Sequence, residues 1–177
     1  VSVHKYAIDI SALLVAVIAL GFSIWQGRTQ IEHNHITVEP RINSYFSNNG
    51  KEDKWGIYLI NNGMGTAFVS ELTVLVDGVE VPDHEWGKFV SALRVLELNV
   101  LCFTAGGPRE NDSFQVGEEQ FLIEASEETS LTPRTCPADR LRLMEYQKDR
   151  LDYILKIESI YGDEFIYRYS KNEQVKI

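Results

Sequence analysis

The side chains that could do chemistry in this 177-residue chain fall into a few groups. Arg134, Arg140, Arg142, Lys148 and Arg150 collect within seventeen residues, and Arg109 sits on an earlier Gly/Pro-rich loop, Thr104–Ser113. Guanidinium groups hold phosphate through paired N–H bonds, so Arg109, Arg134, Arg140 and Arg142 are the candidate anion-binding set. The competing reading is a set of ordinary surface ion pairs with Asp139, Glu145 and Asp149. Asn62-Gly63-Met64-Gly65 has the look of a phosphate loop, but it joins two predicted strands and opens no helix. It therefore reads as a bulge or turn needing positive φ. His33-Asn34-His35, beside Glu32, offers two imidazoles with no further ligands at zinc spacing, so no metal and no cofactor is assigned. Cys102 and Cys136 could form one disulfide or remain buried thiols. No Ser-His-Asp, Cys-His, G-x-S-x-G or Walker arrangement can be placed, so no catalytic residue is assigned and a non-enzymatic protein is expected.

Something must position these groups, and the most distinctive element is N-terminal. Ile10 to Trp25 carries no charge. Counted from Ala7 to Trp25, the segment is about 28 Å long as a helix, close to the roughly 30 Å of a bilayer core. Ala19-Leu20-Gly21 resembles a signal cleavage site, yet the apolar run continues past it, and Tyr6 and Trp25 stand where interfacial aromatics belong. A retained transmembrane helix is expected, continuing to about His33. Lys5 on one side and Arg28 and Arg41 on the other hardly bias its orientation. An uncleaved anchor without a disulfide framework has no need of export, so the expectation is a head in the cytoplasm, held at the inner (cell) membrane. Asp9, Ala12, Ala16, Ala19, Ser23, Gln26 and Gln30 recur at alternating steps of three and four, one narrow stripe of small and polar residues. Such a seam permits close helix association in lipid. It packs dry against a second copy or surrounds water, with Asp9 as an acidic ring at the mouth.

Beyond residue 35 the chain reads as one acidic globular domain. The formal net charge of −9 argues against a surface that coats nucleic acid, though not against one local basic site. Alternation predicts strands over Ile36–Phe46, Trp55–Ile60, Phe68–Val76, Gln120–Ala125, Leu151–Tyr161 and Glu164–Tyr169, with turns over Ser47–Asp53 and at Asp77-Gly78. Helices are expected over His84–Asn99, where Trp86, Phe89, Val90, Leu93 and Leu96 mark an apolar face, and over Pro137–Tyr146. The fold class is mainly β: residues 1–35 form a single transmembrane helix and its extension, and residues 36–177 an Ig-like antiparallel β-sandwich with one or two short helices.

Three stretches, His33-Asn34-His35-Ile36-Thr37-Val38-Glu39-Pro40, Gly56 to Ala67, and Ser159-Ile160-Tyr161-Gly162-Asp163, carry a resemblance to small bacterial single-pass membrane proteins with a β-sandwich head. The organisation is also similar to transmembrane, channel-like effectors of antiphage defence systems of the Hailong type. That resemblance implies a homo-oligomer, a tetramer among the options, that conducts ions and is gated by a nucleotide or DNA oligomer from a partner nucleotidyltransferase. The alternative is a membrane-tethered module that recruits a partner protein and forms no pore.

Overall fold

The computed structural model describes residues 2–50, 54–127 and 132–177, and side chains from Ser11 onward within them. It divides into two compact units, Val1–Thr37 and Val38–Ile177.

The first unit is one helix, α1 (Ser2–Thr37), 36 residues and hence about 54 Å long. From Ser11 it is long and apolar enough to cross a membrane. The helix runs through Ile36 and Thr37, where the first strand was expected. The apparent alternation there is overridden because the helical hydrogen bonds continue until the chain approaches Pro40, which has no N–H to give. Thr37 closes the last turn by donating its hydroxyl to the carbonyls of His33 (2.7 Å) and Asn34 (3.0 Å).

The second unit is two antiparallel sheets around one core. The strands are β1 (Ile42–Asn49), β2 (Lys54–Asn61), β3 (Ala67–Val76), β4 (Val79–Glu80), β5 (Phe103–Ala105), β6 (Ser113–Phe114), β7 (Glu119–Ala125), β8 (Leu151–Glu158), β9 (Glu164–Arg168) and β10 (Glu173–Lys176). One sheet has the order β1-β2-β7-β5, the other β10-β9-β8-β3-β4, with β6 also paired to β3. The expected sandwich is present. Strand alternation supplies its filling: Leu151, Tyr153, Leu155 and Ile157 of β8 all point inward, as do Ile57 and Leu59 of β2 and Phe165 and Tyr167 of β9. The Asp77-Gly78 turn between β3 and β4 has positive φ at both residues (54° and 80°), the two-residue hairpin geometry the sequence announced. The turn expected over Ser47–Asp53 falls partly on residues 51–53, outside the described ones.

Two helices cover the sandwich, α2 (Lys88–Val95) and α3 (Cys136–Asp149). Helix α2 starts four residues later than expected. Gly87, at φ 99°, is its N-cap and follows a turn at Glu85–Trp86, so Trp86 lies before the helix and is exposed while Phe89, Val90 and Leu93 are buried. Cys102 and Cys136 form a disulfide across a separation of 34 residues, with both sulfurs buried. It ties the first residue of α3 to the start of β5.

Candidate functional site

On α1, Ala12, Ala16, Ala19, Ser23, Gln26 and Gln30 are all exposed, as are the bulky Leu14, Val17, Ile18 and Trp25. A single chain therefore leaves every side of the helix open. Ser23 donates its hydroxyl back to the Ala19 carbonyl at 2.9 Å and needs no partner from another helix. The side chain of Asp9 lies outside the described residues. His33 and His35 sit two apart on the helix, where side chains diverge, and among the described residues no group of three His, Cys, Asp or Glu could hold a metal.

The Asn61–Gly65 loop is a clasp on the chain that leaves α1. Asn61 is fully buried and uses its whole amide: Nδ2 donates to the carbonyls of Gly65 (2.8 Å) and Phe114 (3.1 Å), and Oδ1 accepts from the backbone N–H of Arg41 (3.1 Å) and Gly63 (3.0 Å). Met64 N–H donates to the Glu39 carbonyl (3.1 Å) and Asn62 N–H to that of Arg41 (2.8 Å). A Cβ on Gly63 would stand 2.3 Å from the Arg41 nitrogen, and one on Gly65 1.7 Å from the Val38 oxygen. Neither glycine has positive φ. The expectation of a turn needing positive φ is corrected: the glycines are there because two backbones touch. The His33–Pro40 and Gly56–Ala67 landmarks thus meet at residues 38–41.

The described head has one cleft of about 600 Å³, walled by Ser70–Leu72 of β3, the turn Asp83–Phe89 and the glycine-rich loop Ala105–Glu110. Each wall has a local cause. Ser70 is an extra residue in β3, because Val69 pairs with Ile157 while Glu71 pairs with Lys156, and such a bulge re-aims the strand. In the turn, Trp86 N–H donates to His84 Nδ1 (3.1 Å) and Gly87 N–H to the His84 carbonyl (2.9 Å). These bonds set the backbone of the turn; the indole is 65% exposed, with the His84 ring 5.5 Å away. In the third wall Gly107 (φ 135°) leaves only 3.0 Å between a would-be Cβ and the buried Phe89 ring. The loop then closes as Asp112 accepts the Arg109 backbone N–H at 2.7 Å.

Charge in this cleft is mostly negative. Glu71, Asp83, Glu85 and Glu110 face Lys88 and Arg109. Lys88 is engaged by Glu80 (3.0 Å) and Asp83 (3.8 Å), and Glu71 by Lys156 (2.5 Å), whose ammonium holds the Glu71 carboxyl below its ordinary range. Glu85 and Glu110 are exposed and have no ion pair among the described residues.

The four arginines read from the sequence do not share this cleft. Arg109 lines it, while Arg142 lines a separate cavity of about 350 Å³ with Tyr146 and Arg150. Arg142 pairs with the buried Asp139 at 3.5 Å. Arg140 donates to the Ser126 carbonyl at 2.8 Å, and Arg134 is exposed. Arg150 makes two bonds to Asp77, 2.6 and 2.8 Å, holding the β3–β4 turn and lowering the Asp77 carboxyl pKa. Sequence reading missed the roles of Trp86, His84 and Glu85. Pro82 and Gly87 around Asp83-His84-Glu85-Trp86 were the available signal, since they bracket a turn.

Fold and cleft define a class, an apolar helix and a β-sandwich head with one concave face. Comparison with protein-family models, curated proteins and solved structures finds no match at the level of any of the three.

Proposed function

We propose that this chain is a membrane-anchored recognition protein: α1 holds it in the bilayer, copies associate along the Ala12–Gln30 seam, and the head binds a partner in the Trp86 cleft. The observation that carries this reading is the cleft itself, a concave surface with an exposed indole on a chain whose described helix is long and apolar enough to cross a membrane.

Cys102–Cys136 bears on the side of the membrane. A cytoplasmic head was expected partly for want of a disulfide framework, with one Cys102–Cys136 bond left open; a buried disulfide favours an oxidising compartment. It supports a reading in which the head lies on the outer face of the cell membrane.

A second reading keeps the head in the cytoplasm and makes the oligomer a channel-like defence effector gated by a nucleotide or DNA oligomer. The small and polar seam favours it; the acidic cleft and the dispersal of Arg109, Arg134, Arg140 and Arg142 do not. The full chain reconstituted in planar bilayers separates the two. Silence with and without DNA oligomers is expected here, whereas oligomer-dependent conductance abolished by Ala16→Leu would establish the channel.

A further inference from the structure

We infer that the Trp86 cleft is a docking surface for a basic, extended peptide segment of a partner protein. The inference rests on the reading of the head as a recognition module and names what it recognises. Three independent features of the cleft converge on that ligand.

The first is the indole. A tryptophan that is 65% exposed leaves a large apolar face in water. The His84 bonds to the backbone N–H groups of Trp86 and Gly87 set the turn that carries it, and the His84 ring stands beside it at 5.5 Å. An exposed aromatic face attracts a Lys or Arg side chain through the ring quadrupole.

The second is charge. Glu85 and Glu110 come from two different walls of the cleft, exposed and without ion pairs among the described residues, and Asp83 keeps only a 3.8 Å contact with Lys88. The residues from 38 to 177 carry 24 acidic and 15 basic side chains, so the whole net charge of −9 resides in the head. The wider field therefore reinforces the local one and speeds encounter with a cation. Arg109 is the one cation in the cleft without a partner among the described residues. It sets polarity, repelling a uniformly basic ligand at that end and accepting a carbonyl or carboxylate of the segment.

The third is shape. A cleft of about 600 Å³ walled by a bulged strand, a turn and a loop is open enough for several residues of extended chain. Its floor is rigid, because Phe89 packs edge-on against Tyr153 at 5.7 Å and is buried.

The test uses the full chain in lipid nanodiscs and a fluorescein-labelled eight-residue peptide of alternating Lys and Ser, followed by anisotropy. Expected is saturable binding on the order of 10 µM at low salt, weakening several-fold when ionic strength rises to about 0.5 M. Trp86→Ala should weaken it at least tenfold, and Glu85→Gln with Glu110→Gln a further several-fold. All three sites are exposed, so an unchanged circular-dichroism spectrum and melting temperature separate lost binding from lost fold. Glu145→Gln with Asp149→Asn, on α3 and outside the cleft, should leave affinity unchanged. Affinity that falls as much in the α3 variant as in the cleft variant would mean a nonspecific acidic surface and overturn the proposal. So would affinity indifferent to Trp86→Ala, or binding of a Glu/Ser peptide or DNA oligomer in place of the basic one. None of these results bears on whether the helix anchors the chain.

Discussion

Reducing Cys102–Cys136 should cost the head much of its stability without changing one residue of its sequence. The bond spans a separation of 34, a closed loop of about 35 residues. Loop-closure entropy for that length is about −12.7 cal/mol/K, or about 3.8 kcal/mol at 25 °C, gained by restricting the unfolded chain. The native state has other contacts to hold it, since Leu143 of α3 and Phe103 of β5 are buried in the common core. Urea unfolding of the full chain in detergent, followed by tryptophan fluorescence with and without reductant, compares the two states directly. With a slope near 2 kcal/mol/M, the midpoint should fall by about 2 M on reduction. Reduced chains unfolding within about 0.5 M of oxidised ones would refute the reasoning, because a loop of this length cannot be closed so cheaply.

Three further outcomes follow from the packing. Gly65→Ala drives a Cβ into the Val38 carbonyl and should destabilise the head by more than about 3 kcal/mol, and Asn61→Ala by about 3 kcal/mol through the polar groups it strands, both read from urea midpoints. Tyr153 is fully buried and its hydroxyl makes no well-formed hydrogen bond among the described residues, so Tyr153→Phe should be neutral or stabilise by up to about 1 kcal/mol; a loss above that would reveal a bond to a neighbouring hydroxyl such as Ser44 or Tyr167. Burial pushes the Glu119 carboxyl up, but hydrogen bonds from Lys54 and Tyr45 outweigh it, and its folded pKa lies below its ordinary value. Its contribution is therefore present above the unfolded pKa and lost as pH falls through the folded one. The difference between wild type and Glu119→Gln should narrow on acidification from pH 6 to 3, and a constant difference would contradict that sign.

Legibility in the sequence tracked how far each feature depends on local pattern. Strand β8 alternates cleanly because one face meets the core, and Asp77-Gly78 could hardly be anything but a hairpin turn. Strands β5, β6 and β10 escaped notice because two to four residues carry too little periodicity, and the partners of β5 and β6 are distant in sequence. Ile36-Thr37 looked like strand because its side chains suit one; the helix entering from Asn34 decided otherwise. Among the candidate site residues, Arg134, Arg140 and Arg142 are neighbours in sequence, yet Arg134 lies before α3, the 100° step per residue turns Arg140 and Arg142 apart on it, and Ser126 and Asp139 engage those two. Trp86 was assigned to a buried helical face by spacing alone, and Gly87, at φ 99°, breaks that face one residue later. The glycines at 63 and 65 were visible, but the reason for them lay about 25 residues upstream, in a backbone that only the fold brings near.

The most direct test of a membrane-anchored recognition protein is topology in bacterial cells expressing the full chain. Spheroplasts are treated with protease and, in parallel, with a maleimide–polyethylene glycol before and after reduction. Expected is a carbonate-resistant membrane protein whose head is cleaved from outside and whose Cys102 and Cys136 react only after reduction. A protease-protected head with freely reactive cysteines, or a chain released by carbonate, would contradict it.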